Sequence, residues 1–478
     1  MGGVLWATVE KFGSKIIQFF TTIILARILL PEDFGTVAMV SIFFAISMIL
    51  IDSGFSQALI REDEISERDK ATTFYINFIT AIFLFIVLWV FAPLISEFFQ
   101  EPVLLWMTRF MAFTPIFFSL TIVQRALYSH RINFRTQAFI YLISSALSGV
   151  SAVILALYDL GVWALASQYV LLSFVTSFLF WGINPWLPKG FIDKESFKKL
   201  FGFGSNLMLT GLISVTFREV YKVIIGRLYS TSLLGFYAQA ENIKNVVSDN
   251  LVSVLVRVTY PALSKVKDDI ERLKDGYRKI LKVTSLFIFP AMIGLILVAE
   301  PMIVTVIGEK WLESVPIVKL LAILGMIHHM HVINLNILKV LGRSDLILKL
   351  EIIKKIGVTI AIIIGLSFGF WGLVVAQVVS SYVSLFINMI YTATLMDYSK
   401  KEQIMDVFPI LFFSIPMGMI VFGLDFMNYG NELLRLLVLV LSGIFVYLGT
   451  CFILKPQPFK DIVYILRPKF PIFNKIKL

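Results

Sequence analysis

The stretch ILARILLPEDFGTVA, Ile24 to Ala38, closes one long apolar run, turns through Pro31, Glu32 and Asp33, and opens another. The stretch IIGRLYSTSLLGFYA, Ile224 to Ala238, does the same 200 residues later and aligns without gaps. The two share Ile24/Ile224, Arg27/Arg227, Gly35/Gly235 and Ala38/Ala238. A second pair, LGVWAL (160–165) and FGFWGL (368–373), again falls between two apolar runs. Repeated junctions at equivalent places predict a duplicated helical unit. We read two six-helix bundles, residues 1–187 and 200–396, joined by a cytoplasmic linker at 188–199. Two additional transmembrane helices (397–454) and a basic cytoplasmic tail (455–478) follow. Six is even, so both bundles insert in the same orientation and relate by a pseudo-two-fold axis along the membrane normal. Transporters with a substrate cavity between halves are built this way.

Composition sets the class. The 478 residues are 58% hydrophobic and 14% aromatic, with only 15% charged. Apolar runs of about 20 residues recur along the whole length, which predicts an all-α polytopic membrane protein. Breaks at charged or Pro/Gly-rich points give 14 spans between Leu5 and Leu454. The first, Leu5 to Leu30, has no basic leader before it and no clear cleavage site, so it reads as a span rather than a signal peptide.

The net charge of +10 has a topological cause. Seven alternate connections hold 30 of the 42 Lys and Arg residues, whereas the intervening connections hold one, Lys310. The positive-inside rule then places the basic set and both termini in the cytoplasm, and nucleic acid is not an expected partner. The tail KPQPFKDIVYILRPKFPIFNKIKL mixes basic and apolar residues and fits either the membrane surface or a frayed end. The single cysteine, Cys451, excludes an intramolecular disulfide and any CxxC site. No GxxxxGK[ST] occurs and no connection could house a nucleotide-binding domain, which excludes an ATP-driven pump. The outer connections are too short and too sparse in carboxylates for an enzyme acting on sugars.

Within the apolar runs, charge is concentrated. TFREVYKVIIGRL (216–228) carries Arg218, Glu219, Lys222 and Arg227. Each charge near the centre of a helix in hydrocarbon costs about 2.5–3.5 kcal/mol on insertion scales. Arg218 and Lys222 are four apart and share a face, and Glu219 is spaced to pair with Lys222. The next span, AQAENIKNVVSDN (238–250), brings Glu241 and Lys244 to comparable depth, with Asp249 farther in. Such groups belong in a bundle interior, either as a structural network (Arg218–Glu241, Lys222–Glu219) or facing water.

Several motifs resemble a known family. ILARILLPEDFGTVAM, DSGFSQALIRED (52–63), APLISEFFQEP (92–102), IIGRLYSTSLLGFYAQAENIK (224–244) and TYPALSKVKDDIERLKDGYRK (259–279) are similar to the polysaccharide-transporter branch of the multidrug/oligosaccharidyl-lipid/polysaccharide exporter superfamily, the flippases for O-antigen and exopolysaccharide repeat units. The resemblance covers nearly the whole chain. It implies a bacterial inner-membrane protein with two six-helix bundles around a central cavity. Its expected substrate is an undecaprenyl-pyrophosphate-linked oligosaccharide, moved from the cytoplasmic to the outer leaflet by alternating access. No cofactor is expected, and the coupling ion would be H⁺ or Na⁺. Besides the lipid bilayer, the candidate partners are the polysaccharide polymerase and glycosyltransferases of the same pathway, and the chain is expected to be a monomer. Many relatives carry an Asp six residues before the Arg of the IGR triplet. This chain has Tyr221 there, so that acid's ion-coupling role does not carry over. An ion-coupled multidrug or cation exporter of the same superfamily is the rival reading, and it would favour an acidic cavity.

On this reading Arg218, Lys222, Lys244, Lys15 and Arg109 are candidates for meeting pyrophosphate or acidic sugars. Arg offers a planar fork matched to phosphate oxygens, and Lys a compact point charge. For Lys15 and Arg109 the competing reading is snorkelling to an interface. Asp52, Glu219, Glu241 and Asp249 are candidates for ion coupling or charge pairing, and Asp52, beside Ser53 and Gly54, also fits a helix-capping role. Arg27, Arg227, Gly35 and Gly235 are candidates for structural or gating roles at the repeated junction. Three of the four histidines fall in MIHHMHVI (326–333) and read as packed, hydrogen-bonded residues or as proton carriers. Pro115, Pro290, Pro301 and Pro416 are expected to kink their helices.

Overall fold

A computed structural model describes residues 2–466, with side chains apart from those of residues 2–12, 250, 251, 253–262, 344, 465 and 466. Glu10 and Lys11, read above as part of the first span, and the tail segment 467–478 lie outside the described side chains. Every long element is a helix. In chain order they are α1 (Gly2–Ile28), α2 (Pro31–Asp52), α3 (Phe55–Arg61), α4 (Glu67–Phe99), α5 (Val103–Met111), α6 (Phe113–Ser119) and α7 (Ile122–His130). Next come α8 (Phe134–Leu157), α9 (Val162–Ile183), α10 (Lys194–Leu228), α11 (Thr231–Ser264) and α12 (Ile270–Val306). The last are α13 (Ser314–Val340), α14 (Ser344–Leu366), α15 (Gly369–Leu395), α16 (Lys400–Phe412), α17 (Ile415–Asp425), α18 (Glu432–Leu454) and α19 (Gln457–Leu466). Among the described residues, eleven helical stretches are long and apolar enough to cross a membrane by length and composition. The protein is an integral membrane protein. Its outward-facing apolar stripes, such as Ile79, Phe83, Ile86 and Val90 along α4, are exposed because lipid covers them.

Local chemistry sets the helix starts. Pro31 opens α2 where a missing N–H costs nothing, and the Asp33 carboxylate accepts from the Leu30 N–H at 3.0 Å. At the equivalent start of α11 the Ser230 hydroxyl takes this role, accepting from the Leu233 N–H at 3.2 Å. Capping boxes of Ser66 with Asp69 and of Ser399 with Glu402 open α4 and α16 at the basic side. The prolines sit in two settings. Pro290 and Pro301 sit inside a continuous α12. The run containing Pro115 breaks into α5, α6 and α7, and the run with Pro416 breaks between α16 and α17.

The chain divides into two compact units, Met1–Ala238 and Gln239–Leu478. In the first, α10 lies along α2 and also meets α3 and α4. At one end of this seam Gly35 and Gly235 face each other. A Cβ on Gly35 would run into the Thr231 carbonyl, and one on Gly235 into the Pro31 carbonyl. These contacts are reciprocal under the 200-residue offset, as in a local two-fold relation. Only glycine allows such an approach of two backbones. Ser232 Oγ donates to Glu32 at 2.5 Å across the same point, and Thr231 donates to Glu101. The second repeated junction also matches, since Gly161 and Gly369 both adopt positive φ, +51° and +71°.

In the second unit, α12 is the hub. It packs against α13, α16, α17, α18 and α19. A core of Tyr277, Met389, Tyr398 and Leu439 forms around it, and the Tyr447 hydroxyl of α18 donates to the Leu286 carbonyl at 2.5 Å. The described part of the basic tail is helical. α19 docks on this unit through Phe459 against Phe452 and through Lys279–Asp461 at 3.4 Å.

Candidate functional site

The densest intramembrane charge lies on α10. Glu219 is buried, and a buried carboxylate is tolerated only with compensating donors. It has three. Lys222 Nζ donates to Oε2 at 2.9 Å, Arg218 Nε donates to Oε1 at 3.0 Å, and Ser41 Oγ of α2 donates to Oε2 at 3.0 Å. The expected i,i+3 pair with Lys222 is formed, and the neighbouring Arg218 joins the same carboxylate. Glu219 thereby holds two cations side by side that would otherwise repel, and the cluster keeps a net charge of about +1.

The two cations differ in access. The Lys222 side chain is 16% exposed, and that of Arg218 is 60% exposed. Arg218 spends its Nε on Glu219 and keeps the Nη1/Nη2 edge, the fork that matches a phosphate or carboxylate. The Tyr169 phenol of α9 lies within electrostatic reach of Lys222 and Glu219. Tyr221 is buried in the same helix.

The other candidates scatter. Arg27 is exposed in the last turn of α1, and Arg227, in the last turn of α10, lies 5.5 Å from the Phe98 ring centroid. Asp52 ends α2 and accepts from the Ser56 N–H at 3.2 Å and its hydroxyl at 2.9 Å, so it caps the start of α3. Lys15 is exposed on α1. Arg109 of α5 sits between the rings of Trp89 and Trp106.

In the second unit, Glu241 is half-buried on α11. Lys244 is buried with its aliphatic carbons against Gly325, where an added Cβ would lie 3.4 Å from them. Asp249 accepts from Ser248 Oγ at 2.8 Å and lies 3.4 Å from His328 Nε2. The remaining histidines of α13 are hydrogen-bonded. His329 meets Ser285 at 2.8 Å, and His331 meets Asn388 at 2.9 Å and Ser381 at 3.3 Å. Sequence reasoning missed Ser41, Asn388 and Ser381, because uncharged partners on distant helices leave no local signal.

The chain is similar to several known proteins. TuaB, a teichuronic acid biosynthesis protein of Bacillus subtilis, is 28% identical over 72% of this chain and 72% of its own. WzxC, a lipopolysaccharide biosynthesis protein of Escherichia coli, is 23% identical over 90% of this chain and 88% of its own. Among solved structures, the lipid II flippase MurJ in an inward closed conformation superposes with a TM-score of 0.77 at 18% identity, covering 96% of this chain and all of that one. An inward-facing multidrug resistance MATE transporter gives 0.62 at 14% identity over 82% of this chain and 98% of its own. The fold is therefore MurJ- and MATE-like. A sequence model of the polysaccharide biosynthesis protein family matches residues 24–316, more than half of the chain, and the protein belongs to that family.

Proposed function

We propose that the protein is a flippase. It moves an undecaprenyl-pyrophosphate-linked oligosaccharide repeat unit from the cytoplasmic to the outer leaflet of the bacterial inner membrane, by alternating access, for O-antigen, capsule or exopolysaccharide synthesis. On this reading the chain has 14 spans, in two six-helix bundles (1–187 and 200–396) and two additional helices, with both termini cytoplasmic. It works as a monomer and is driven by H⁺ or Na⁺.

One observation carries the proposal. A cation pair in the last third of α10 is held together by a buried carboxylate, and one member, Arg218, is largely exposed with its Nη1/Nη2 edge unused. Charge exposed at that depth belongs to water rather than lipid. An incoming pyrophosphate meets the Arg218 fork first, and Lys222 adds a second positive charge behind it. Glu219 keeps the pair from binding the anion too tightly to release it. Lys15 and Lys244 are further candidates for the path. The reciprocal Gly35/Gly235 contact favours a two-fold relation between repeats, so Gly35→Ala and Gly235→Ala are expected to impair export to similar degrees.

The test is depletion of the protein in its host, followed by extraction of lipid-linked oligosaccharides. The expected result is a repeat unit on undecaprenyl pyrophosphate accumulating on the cytoplasmic side. Altered drug tolerance without that accumulation would favour the multidrug-exporter reading instead.

A further inference from the structure

Arg109 occupies a site unlike that of the α10 cations. It lies on α5, six residues past the start at Val103, or about 9 Å from that end of the helix. The connection before it, Gln100 to Pro102, contains no Lys or Arg, so this is the end of the span opposite the basic loops. The guanidinium carbon lies 5.3 Å from the Trp89 ring centroid and 5.0 Å from that of Trp106, and Nε donates to the Trp89 carbonyl at 3.4 Å. Trp106 is 59% exposed, and Phe113, which packs edge-on against Trp89, is also exposed. Among the described residues, these rings and that carbonyl are its partners, and no carboxylate lies within salt-bridge reach.

A cation at the edge of the hydrocarbon without an acid beside it calls for an anion from its surroundings. The two indoles fix the guanidinium plane through cation–π attraction and leave its terminal N–H groups uncommitted. The apolar stripe of α4 around Trp89 marks the surroundings as acyl chain. We propose that Arg109, Trp89 and Trp106 form a binding site for the phosphodiester of an anionic phospholipid in the leaflet opposite the basic loops. Two terminal N–H groups of Arg109 donate to the phosphate oxygens, and the indoles flank the glycerol and upper chains. This site is separate from the α10 cluster and does not depend on what the protein transports.

The test uses the full chain in vesicles of equal phosphatidylglycerol and phosphatidylcholine, with a photo-crosslinking benzoylphenylalanine at Phe113. With Arg109 present, phosphatidylglycerol is expected in the crosslinked adduct about fivefold over phosphatidylcholine. Arg109→Gln should bring the ratio close to one, and Arg109→Lys should fall between. A ratio near one with Arg109 intact, or an unchanged ratio in Arg109→Gln, would overturn the proposal. If Arg109→Gln does not fold, the ratio in the parent protein decides alone. Preferential capture of added undecaprenyl pyrophosphate over both phospholipids would overturn the phospholipid assignment in favour of a substrate exit site. Failure of the flippase reading would leave the expected ratio unchanged.

Discussion

Two clusters in this molecule have the same composition and opposite geometry. Each sets one carboxylate against two cations. On α16, Asp406 receives Arg278 through two bonds, Nε at 2.6 Å and Nη2 at 3.1 Å, together with Lys282 at 2.8 Å and the Tyr398 hydroxyl at 2.5 Å. The Nε/Nη2 edge of Arg278 is taken by both carboxylate oxygens, as in a two-pronged Arg–carboxylate pair. This cluster ties α12 to α16 beside the basic connections, with Asp406 held from four donor atoms. On α10, Glu219 takes a single bond from Arg218, whose Nη1 and Nη2 groups stay uncommitted. The difference teaches that counting charges does not separate a clamp from a receptor. What separates them is how many guanidinium N–H groups the carboxylate takes, two from Arg278 and one from Arg218, and how exposed the arginine is left, 36% against 60%.

The largest expected effect falls on the receptor side. Replacing Arg218 and Lys222 together by Gln should abolish export, a loss of more than about a hundredfold from two charge-assisted contacts, while the protein still inserts. Accumulated lipid-linked repeat units and the protein level in membranes measure the two halves of that statement. Glu219→Gln should come next, with export reduced about tenfold. The two cations would then lack their shared counter-charge, and the bound anion should leave more slowly. Single-turnover release in vesicles reads this directly, and faster release would break the distinction drawn here.

Asp406→Asn should act on stability instead. It strands Arg278 and Lys282, and the unfolding midpoint in detergent should fall by an amount equivalent to about 1–3 kcal/mol. Export per folded molecule should stay within about twofold. The smallest effect expected is that of Tyr398→Phe, which removes one hydrogen bond to Asp406 and should cost about 0.5–1.5 kcal/mol by the same melting measurement. Loss of transport per folded molecule in either variant would show that the clamp also takes part in the cycle.

Much of this architecture could be read before any coordinates. Hydropathy and the one-sided Lys/Arg distribution are local properties of the chain, and a helix in lipid must satisfy its own backbone. The 200-residue repeat was legible too, because its glycines are fixed by a backbone approach that no other residue permits. The Glu219–Lys222 pair was legible through helical spacing alone. Other parts needed the fold. Ser41 is 178 positions from Glu219, so nothing local could reveal it. The Asp406 cluster was hidden too, because Arg278 lies 128 positions from the carboxylate it binds. Arg109 offered snorkelling or a cavity as alternatives, and only the positions of Trp89 and Trp106 show an aromatic clamp around it. The capping contact of Asp52 with Ser56 follows from a spacing of four residues and was legible locally.

The most direct measurement of the central claim is equilibrium binding of undecaprenyl pyrophosphate to the purified protein, with undecaprenol as the uncharged control. The parent chain should prefer the pyrophosphate by at least about tenfold, and the Arg218→Gln, Lys222→Gln variant should lose that preference while binding the alcohol as before. Equal affinities of parent and variant for the pyrophosphate would contradict the account.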